Sequence, residues 1–264
     1  MRLFRSLISA FLMYSKIPMP RVEWRDENRR YALCFFPLVG AVVGGAFLLW
    51  RRFCGWVGFG TLLNAAVCTT IPMLITGGIH LDGFCDVSDA VSSHAERSKK
   101  LEILSDPHIG AFAAIKLGVY LLIQTALFSE MSLFSAEIVA ATGFVLSRAL
   151  SGIAAVCFKN AKKAGSLWAF TEPAHKTVTL VVLGIITAVC AAVMIIASPL
   201  CGGLAVIASG AAFICYRLFA YRQFGGITGD TAGWFLQICE ILILAAVVIG
   251  EKIVVFKGIS QWLW

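Results

Sequence analysis

Charge is scarce in this 264-residue chain. Only 14% of residues are Asp, Glu, Lys or Arg, against about 25% in soluble domains, while 59% are hydrophobic and mean hydropathy is +0.85. That shortage excludes an ordinary water-soluble domain. Metal-binding cysteine pairs are also missing. Nine Cys are scattered with no C-x-x-C, mostly in apolar runs. No zinc site or disulfide framework is implied, and these thiols read as small hydrophobes. Low-complexity tracts, internal repeats and a convincing signal-peptide cleavage site are absent too. The net charge of +7 does not imply nucleic acid, because the basic residues follow membrane topology.

Long apolar runs are what the chain does have. Runs of about 18 or more residues are candidate membrane spans. Seven are read, at 32–50, 61–78, 109–128, 133–157, 177–197, 203–221 and 232–256. The fifth and sixth, parted by Ser198-Pro199-Leu200-Cys201-Gly202-Gly203, read as a helical hairpin. The fold expected is all-α and polytopic: one domain over 1–264 embedded in a lipid bilayer. The start differs from the rest. Leu3, Phe4, Leu7, Ile8, Phe11 and Leu12 alternate with Arg2, Arg5, Ser6 and Ser9, which predicts an amphipathic interfacial helix within 1–20, stopped by Pro18 and Pro20.

Positive charge sorts by side. With the N-terminus in the cytoplasm, that face holds Arg2, Arg5, Lys16, Arg21, Arg25, Arg29, Arg30, Arg97, Lys99, Lys100, Lys159, Lys162, Lys163, Lys176 and Arg222. The outer face holds Arg51, Arg52, Lys252 and Lys257. The positive-inside rule supports that orientation. It brings three polar motifs to one cytoplasmic face: the acidic segment within 79–108, Asp106-Pro107-His108-Ile109-Gly110, and Gly225-Gly226-Ile227-Thr228-Gly229-Asp230-Thr231.

The acidic segment is the most informative. Asp82, Asp86 and Asp89 stand at i, i+4 and i+7, which on a helix stacks three carboxylates on one face. Such carboxylates repel unless a cation sits among them. Oxygen-only ligands suit Mg²⁺ or Mn²⁺, and Mg²⁺ is commonly shared with substrate phosphates. A polar cap where a helix leaves the membrane is the plainer alternative. The glycine loop lets backbone approach a ligand, and helix-start amides such as that of Gly229 suit an anion. Asp230 adds a metal ligand or a cap. His80 is a phosphate donor, a proton acceptor or an ordinary helix-end residue. His108 is a structural residue or a phosphate donor. Three charges fall within spans, roughly 10–15 Å deep at 1.5 Å per residue: Lys116, Arg148 and Glu240. Lys116 either snorkels or lines a polar cleft. Arg148 faces a phosphate or pairs with an acid, for which Glu240 is the candidate.

At these residues the sequence resembles the adenosylcobinamide-GDP ribazoletransferase family, the cobalamin synthases, nearly end to end. The likeness rests on Phe11 to Pro20, Phe36-Pro37-Leu38-Val39-Gly40, Gly77-Gly78-x-His80-x-Asp82-Gly83-x-x-Asp86-x-x-Asp89, Asp106-x-x-Ile109-Gly110-Ala111-Phe112, Ser147-Arg148, and Gly225 to Gly233 followed by Glu240. The resemblance implies a Mg²⁺-dependent enzyme of the bacterial cytoplasmic membrane. Its substrates would be adenosylcobinamide-GDP and α-ribazole or its 5′-phosphate, with GMP released. It implies Asp82, Asp86 and Asp89 as Mg²⁺ ligands, with Asp89 nearest the attacking hydroxyl as base. Asp106 or Asp230 would complete a second metal site or orient that hydroxyl. His80, His108, Gly110, Arg148, Thr228, Gly229 and Glu240 would bind substrate. Two departures stand out. Pro107-His108 replace the usual Ser-Arg after Asp106, and Trp234 stands where a small residue is usual. Oligomeric state is left open. Two rivals have their own signatures. A CDP-alcohol phosphatidyltransferase carries Ala-Arg after its Asp-Gly and a final Gly-x-x-x-Asp-x-x-x-Asp, which this chain lacks. A cation transporter places its ligands near the bilayer midplane, whereas these acids follow the end of a span.

Overall fold

The computed structural model describes residues 2–162 and 165–260, and Lys163 lies outside them. The described residues are helical with no strand beyond one isolated bridge, Asn160 to Ile227. In chain order the helices are α1 Arg2–Tyr14, α2 Asp26–Arg29, α3 Ala32–Val57, α4 Thr61–Thr76, α5 Ile79–Ser92, α6 Arg97–Ile103, α7 Ala111–Glu130, α8 Phe134–Cys157, α9 Ser166–Thr171, α10 Lys176–Ala197, α11 Pro199–Phe224 and α12 Gly229–Ser260. The protein is thus an all-α, multi-pass membrane protein.

Among the described residues, five helices are long and apolar enough to cross a bilayer: α3, α7, α8, α10 and α11. The pair α4–α5 raises the number to six if it is one broken span. The reading from hydropathy took 61–78 as a straight span, and there the structure differs. α4 has only 16 residues. It ends at Gly77 and Gly78, both with positive φ (67° and 78°), a conformation that costs glycine little. The chain turns 96° there. α5 therefore runs across the direction of α4 instead of prolonging it. The seventh run lies within α12, 32 residues long. The hairpin turn is tighter than expected. Ser198 alone separates α10 from α11, and Pro199 opens α11, where its fixed φ and missing N–H cost nothing.

α8 is the most enclosed long helix and packs on α3, α10 and α12. α7 and α10 turn residues such as Ile115, Leu122, Ile185 and Ile196 outward, as a lipid-facing helix does. α1 packs on α3 with Ser6, Ile8, Ser9, Ala10 and Phe11 buried, and leaves Leu3, Phe4 and Leu12 exposed. Its two serines therefore face protein, because small side chains permit close approach.

Contacts between loops gather the polar motifs at one end. Lys16 N–H donates to Ile75 O, His175 N–H to Arg30 O, and Ala161 N–H to Ile227 O. Arg97 reaches the α11 carbonyls of Tyr221 and Arg222 at 3.4 Å. The opposite end is tied separately. Glu137 binds Arg51 and Arg52, Glu251 accepts from the Ser132 and Leu133 amides, and Lys252 pairs with Glu130 at 2.7 Å.

A labelling experiment follows. In a variant without native cysteines, an impermeant thiol reagent added to intact cells is expected to reach Cys placed at the exposed position 55, and not at the exposed positions 94 and 222. Labelling of 94 and 222 from opposite sides would break the single-end arrangement.

Candidate active site

The segment 79–108 is largely helical, as α5 and α6, and not a loop. Its helicity puts Asp82, Asp86 and Asp89 on one side of α5, as the spacing predicts. α5 lies against α12 so closely that a Cβ on Gly83 would stand 2.7 Å from the carbonyl oxygen of Asp230. That contact draws Asp230 to the α5 acids. Burial, then the charges of Asp82, Asp230 and Asp89, push the Asp86 carboxyl up to about 7. Four acids from two helices thus share one electrostatic neighbourhood.

The glycine loop is organised by a reciprocal cap. Thr228 Oγ1 accepts from the Thr231 amide at 3.1 Å, and Thr231 Oγ1 accepts from the Thr228 amide at 2.8 Å. This is a capping box with Thr in place of the usual Glu. It starts α12 at Gly229. The Thr228 hydroxyl also donates to Asp230 Oδ2 at 3.3 Å, which steadies that carboxylate.

Two cavities meet at Asp230. The larger, about 250 Å³, lies between α1, α3, α5, α8 and α12 and includes Tyr14, Phe36, His80, Asp82, Gly229 and Asp230 in its wall. The second, about 200 Å³, is lined by Ser105, Asn160, Lys162, Trp168, Thr228 and Asp230, among others. Leu167, Gly229 and Asp230 belong to both. The walls from Tyr14, Phe36 and Trp168 escaped the sequence reading, because aromatics inside apolar stretches give no signal of their own. In the sequence Lys162 stands among the basic residues of the cytoplasmic face. Its Nζ donates to Leu101 O at 2.6 Å and Ser105 Oγ at 3.1 Å.

Other expected site residues have different partners. Asp89 accepts the Gly110 amide at 2.5 Å through Oδ2 and the Ala113 amide at 2.8 Å through Oδ1. It therefore caps α7, a charge-assisted use of a helix start. Gly110 is the residue it rests on, since a Cβ there would lie 2.6 Å from Asp89 Oδ1. Asp106 Oδ1 accepts both the amide and the ring nitrogen of His108, at 3.0 and 2.7 Å. Those two bonds hold the Asp106 carboxyl below its usual range. Both side chains are exposed, and neither lines either cavity.

Arg148 is buried and pairs with Glu240 at 2.6 Å. It also donates to Phe144 O at 2.8 Å, and Ser147 Oγ donates to the same Glu240 oxygen at 2.9 Å. Of the two alternatives for Arg148, the acid partner is the one formed. Neither residue lines the two cavities at Asp230. Lys116 reaches back to Ser92 Oγ at 2.8 Å, a snorkelling geometry. Trp234 stacks on Phe219 at 4.3 Å and lines an apolar groove between α5, α7, α11 and α12. Its bulk falls outside the cavities at Asp230. His80 is buried, and burial, with the nearby Arg148 charge, pushes its imidazole well below the usual range.

The donor set can be tested for Mg²⁺. Asp82, Asp86 and Asp230 offer only oxygen, and their mutual repulsion is what a divalent cation relieves. Among the described residues no three groups close into a finished cage. Mg²⁺ needs none, because it takes one or two carboxylates and completes its shell with water and substrate phosphate. The residues fit.

A multi-pass helical membrane protein with an oxygen-donor site at one end, where two cavities meet, is the class that fold and site define. Within it, the chain belongs to the cobalamin-5-phosphate synthase (CobS) family, whose profile matches residues 6–248. It is 45% identical over 265 residues to an adenosylcobinamide-GDP ribazoletransferase of Lachnoclostridium phytofermentans, covering 99% of this chain and 100% of that one. It is 34% identical over 239 residues to the enzyme of that name from Pseudomonas fluorescens, covering 89% and 94%. A third of that name, from Clostridium perfringens strain 13, is 30% identical over 242 residues, covering 91% and 96%. No solved structure matches the chain.

Proposed function

We infer that this protein joins adenosylcobinamide-GDP to α-ribazole, or to α-ribazole 5′-phosphate, and releases GMP. It does so at the cytoplasmic face of a bacterial cell membrane. The observation that carries the reading is the meeting of two cavities at Asp230 beside the acids of α5. A transferase with two large substrates needs two compartments and a shared reacting centre. The names of the relatives supply the substrates.

Phosphoryl transfer asks for alignment and charge neutralisation more than covalent help. Mg²⁺, held by Asp82 and Asp86, would neutralise charge on the diphosphate. The remaining work falls to the chain. A ribose hydroxyl of α-ribazole attacks the phosphorus on the cobinamide side. The new P–O bond forms as the bond to GMP breaks, and the hydroxyl proton passes to a carboxylate. We assign that acceptor to Asp230 in preference to Asp89, because both Asp89 oxygens already hold backbone amides. Lys162 and the Gly229 amide suit the departing phosphate, and Trp168 offers a flat face to a base. His80 stands in the wall of the larger cavity with Asp82. The phosphatidyltransferase alternative is not favoured by any of these contacts.

The test is direct. Purified protein in lipid with Mg²⁺ is expected to release GMP from adenosylcobinamide-GDP only when α-ribazole or its 5′-phosphate is present. Release without either acceptor would make it a hydrolase. Turnover of a CDP-linked lipid instead would favour the phosphatidyltransferase reading.

A further inference from the structure

On the back of α5, away from its acids, an apolar groove of about 430 Å³ lies between α5, α7, α11 and α12. Val87 and Val91 of α5 form one side, and Trp234, stacked on Phe219, forms another. Ile115 and Val119 of α7 stand at its lip, 63% and 50% exposed. Two of the four walls, α7 and α11, are helices long and apolar enough to cross a bilayer. The groove therefore opens toward hydrocarbon. Only one residue in its wall is charged, Lys116. It is the sixth residue of α7, so it stands roughly 8 Å along the helix from the end that carries the polar motifs, at 1.5 Å per residue. Its ammonium has three donors. One goes to Ser92 Oγ at 2.8 Å and a second, at 3.4 Å, to Ser88 O. Among the described residues no carboxylate lies within 4 Å of it.

We propose that this groove binds an anionic phospholipid, with an acyl chain against Trp234 and the headgroup phosphate on Lys116. Three observations select that occupant. The first is the lining. Water needs polar partners that an apolar groove does not offer, and an empty groove leaves its wall without contact atoms. A hydrocarbon chain supplies them. The second is the place of the charge. Lys116 sits near the end of α7 where a headgroup lies, and its third donor is unspent. Basic pockets between membrane helices bind anionic headgroups in this way. The third is the lack of a close acid. A lysine without a carboxylate beside it gains most from a lipid of net negative charge. A choline or ethanolamine headgroup brings its own cation and gains less. The site rests on α7 and α11 crossing the bilayer, and it is independent of the assigned reaction.

Full-length protein in phosphatidylcholine nanodiscs, one copy per disc, tests it by fluorescence. Lipids brominated along the acyl chain quench tryptophan on contact. In each background the share due to Trp234 is the part lost in Trp234→Phe. Brominated phosphatidylglycerol is expected to half-quench Trp234 at about one fifth of the mole fraction that brominated phosphatidylcholine needs, the preference one lysine gives beside anionic lipid. Lys116→Gln is expected to bring the two lipids level, and Lys116→Arg to keep the preference. Val119→Phe narrows the groove without touching the charge and is expected to lower quenching by both lipids. That variant still tests the groove if Lys116→Gln does not fold. Equal quenching by the two lipids in wild type overturns the site, since ordinary bilayer lipid would then fill the groove. So does a preference that survives Lys116→Gln, which would put the headgroup on another cation. Trp234 out of reach of both brominated lipids would show a groove closed to acyl chains and end the proposal. None of these measurements uses GMP release, so failure of the assigned reaction would leave the lipid site standing.

Discussion

Asp82→Asn, Asp86→Asn and Asp230→Asn are each expected to reduce turnover by about 10²–10³-fold, roughly 3–4 kcal/mol of transition-state stabilisation. Each substitution keeps side-chain volume and removes a charge. The three acids come from α5 and from the first turn of α12, which touch at Gly83. Asn at 82 or 86 takes a charge from the candidate Mg²⁺ site, and Asn at 230 removes the assigned proton acceptor. None of the three anchors another element by a backbone bond, so the variants should enter the membrane in normal amounts. Asp89→Asn is expected to behave differently. An amide at 89 keeps one acceptor but turns an N–H₂ toward the Gly110 or Ala113 amide. The start of α7 loosens, and yield or thermal stability should fall together with activity. Measuring yield, melting temperature and GMP release for all four separates the roles. Near-wild-type turnover in Asp82→Asn, Asp86→Asn and Asp230→Asn at saturating Mg²⁺ would end the metal-site reading. An Asp89→Asn protein of full stability and no activity would return that residue to the reacting centre.

Arg148→Leu carries the second large effect. It is expected to cut the yield of folded protein sharply, because it strands the Glu240 carboxylate in a wall of Phe144, Ser147 and α12. Breaking one side of a buried pair costs about 3–5 kcal/mol, much of it from the abandoned charge. Glu240→Gln added to Arg148→Leu is expected to restore yield, since a neutral amide in that place needs no counter-charge and Ser147 Oγ can still donate to it. Glu240→Gln alone leaves the guanidinium unbalanced and should be intermediate. Full yield of Arg148→Leu by itself would mean that the pair contributes nothing to folding.

Trp234 shows how a departure from a family pattern can be seen in the sequence and misplaced. A large residue after Gly233 in the sequence suggests a reshaped substrate cleft. Gly233 does face α5, where a Cβ would meet His80 O at 2.9 Å. One residue further the helix has rotated by about 100°, and Trp234 points into the groove beside Phe219 instead.

Periodicity and spacing by themselves determined that the chain is helical and membrane-embedded, that Asp82, Asp86 and Asp89 share a helix face, and that the acidic and glycine motifs meet at one end. Those properties are local, or follow from counting spans, and both are written in the order of residues. The sequence also narrowed Arg148 to a phosphate or an acid. Only the tertiary structure decided for Glu240, which lies 92 residues away. It also spent Asp89 on the start of α7, tied His108 to Asp106 outside the cavities, broke the second apolar run at Gly77-Gly78, and brought Tyr14 and Trp168 into the cavity walls. Each of these depends on which helix packs beside which and at what height. A carboxylate's spacing along its own helix says nothing of the amide, guanidinium or cavity that a neighbouring helix sets against it.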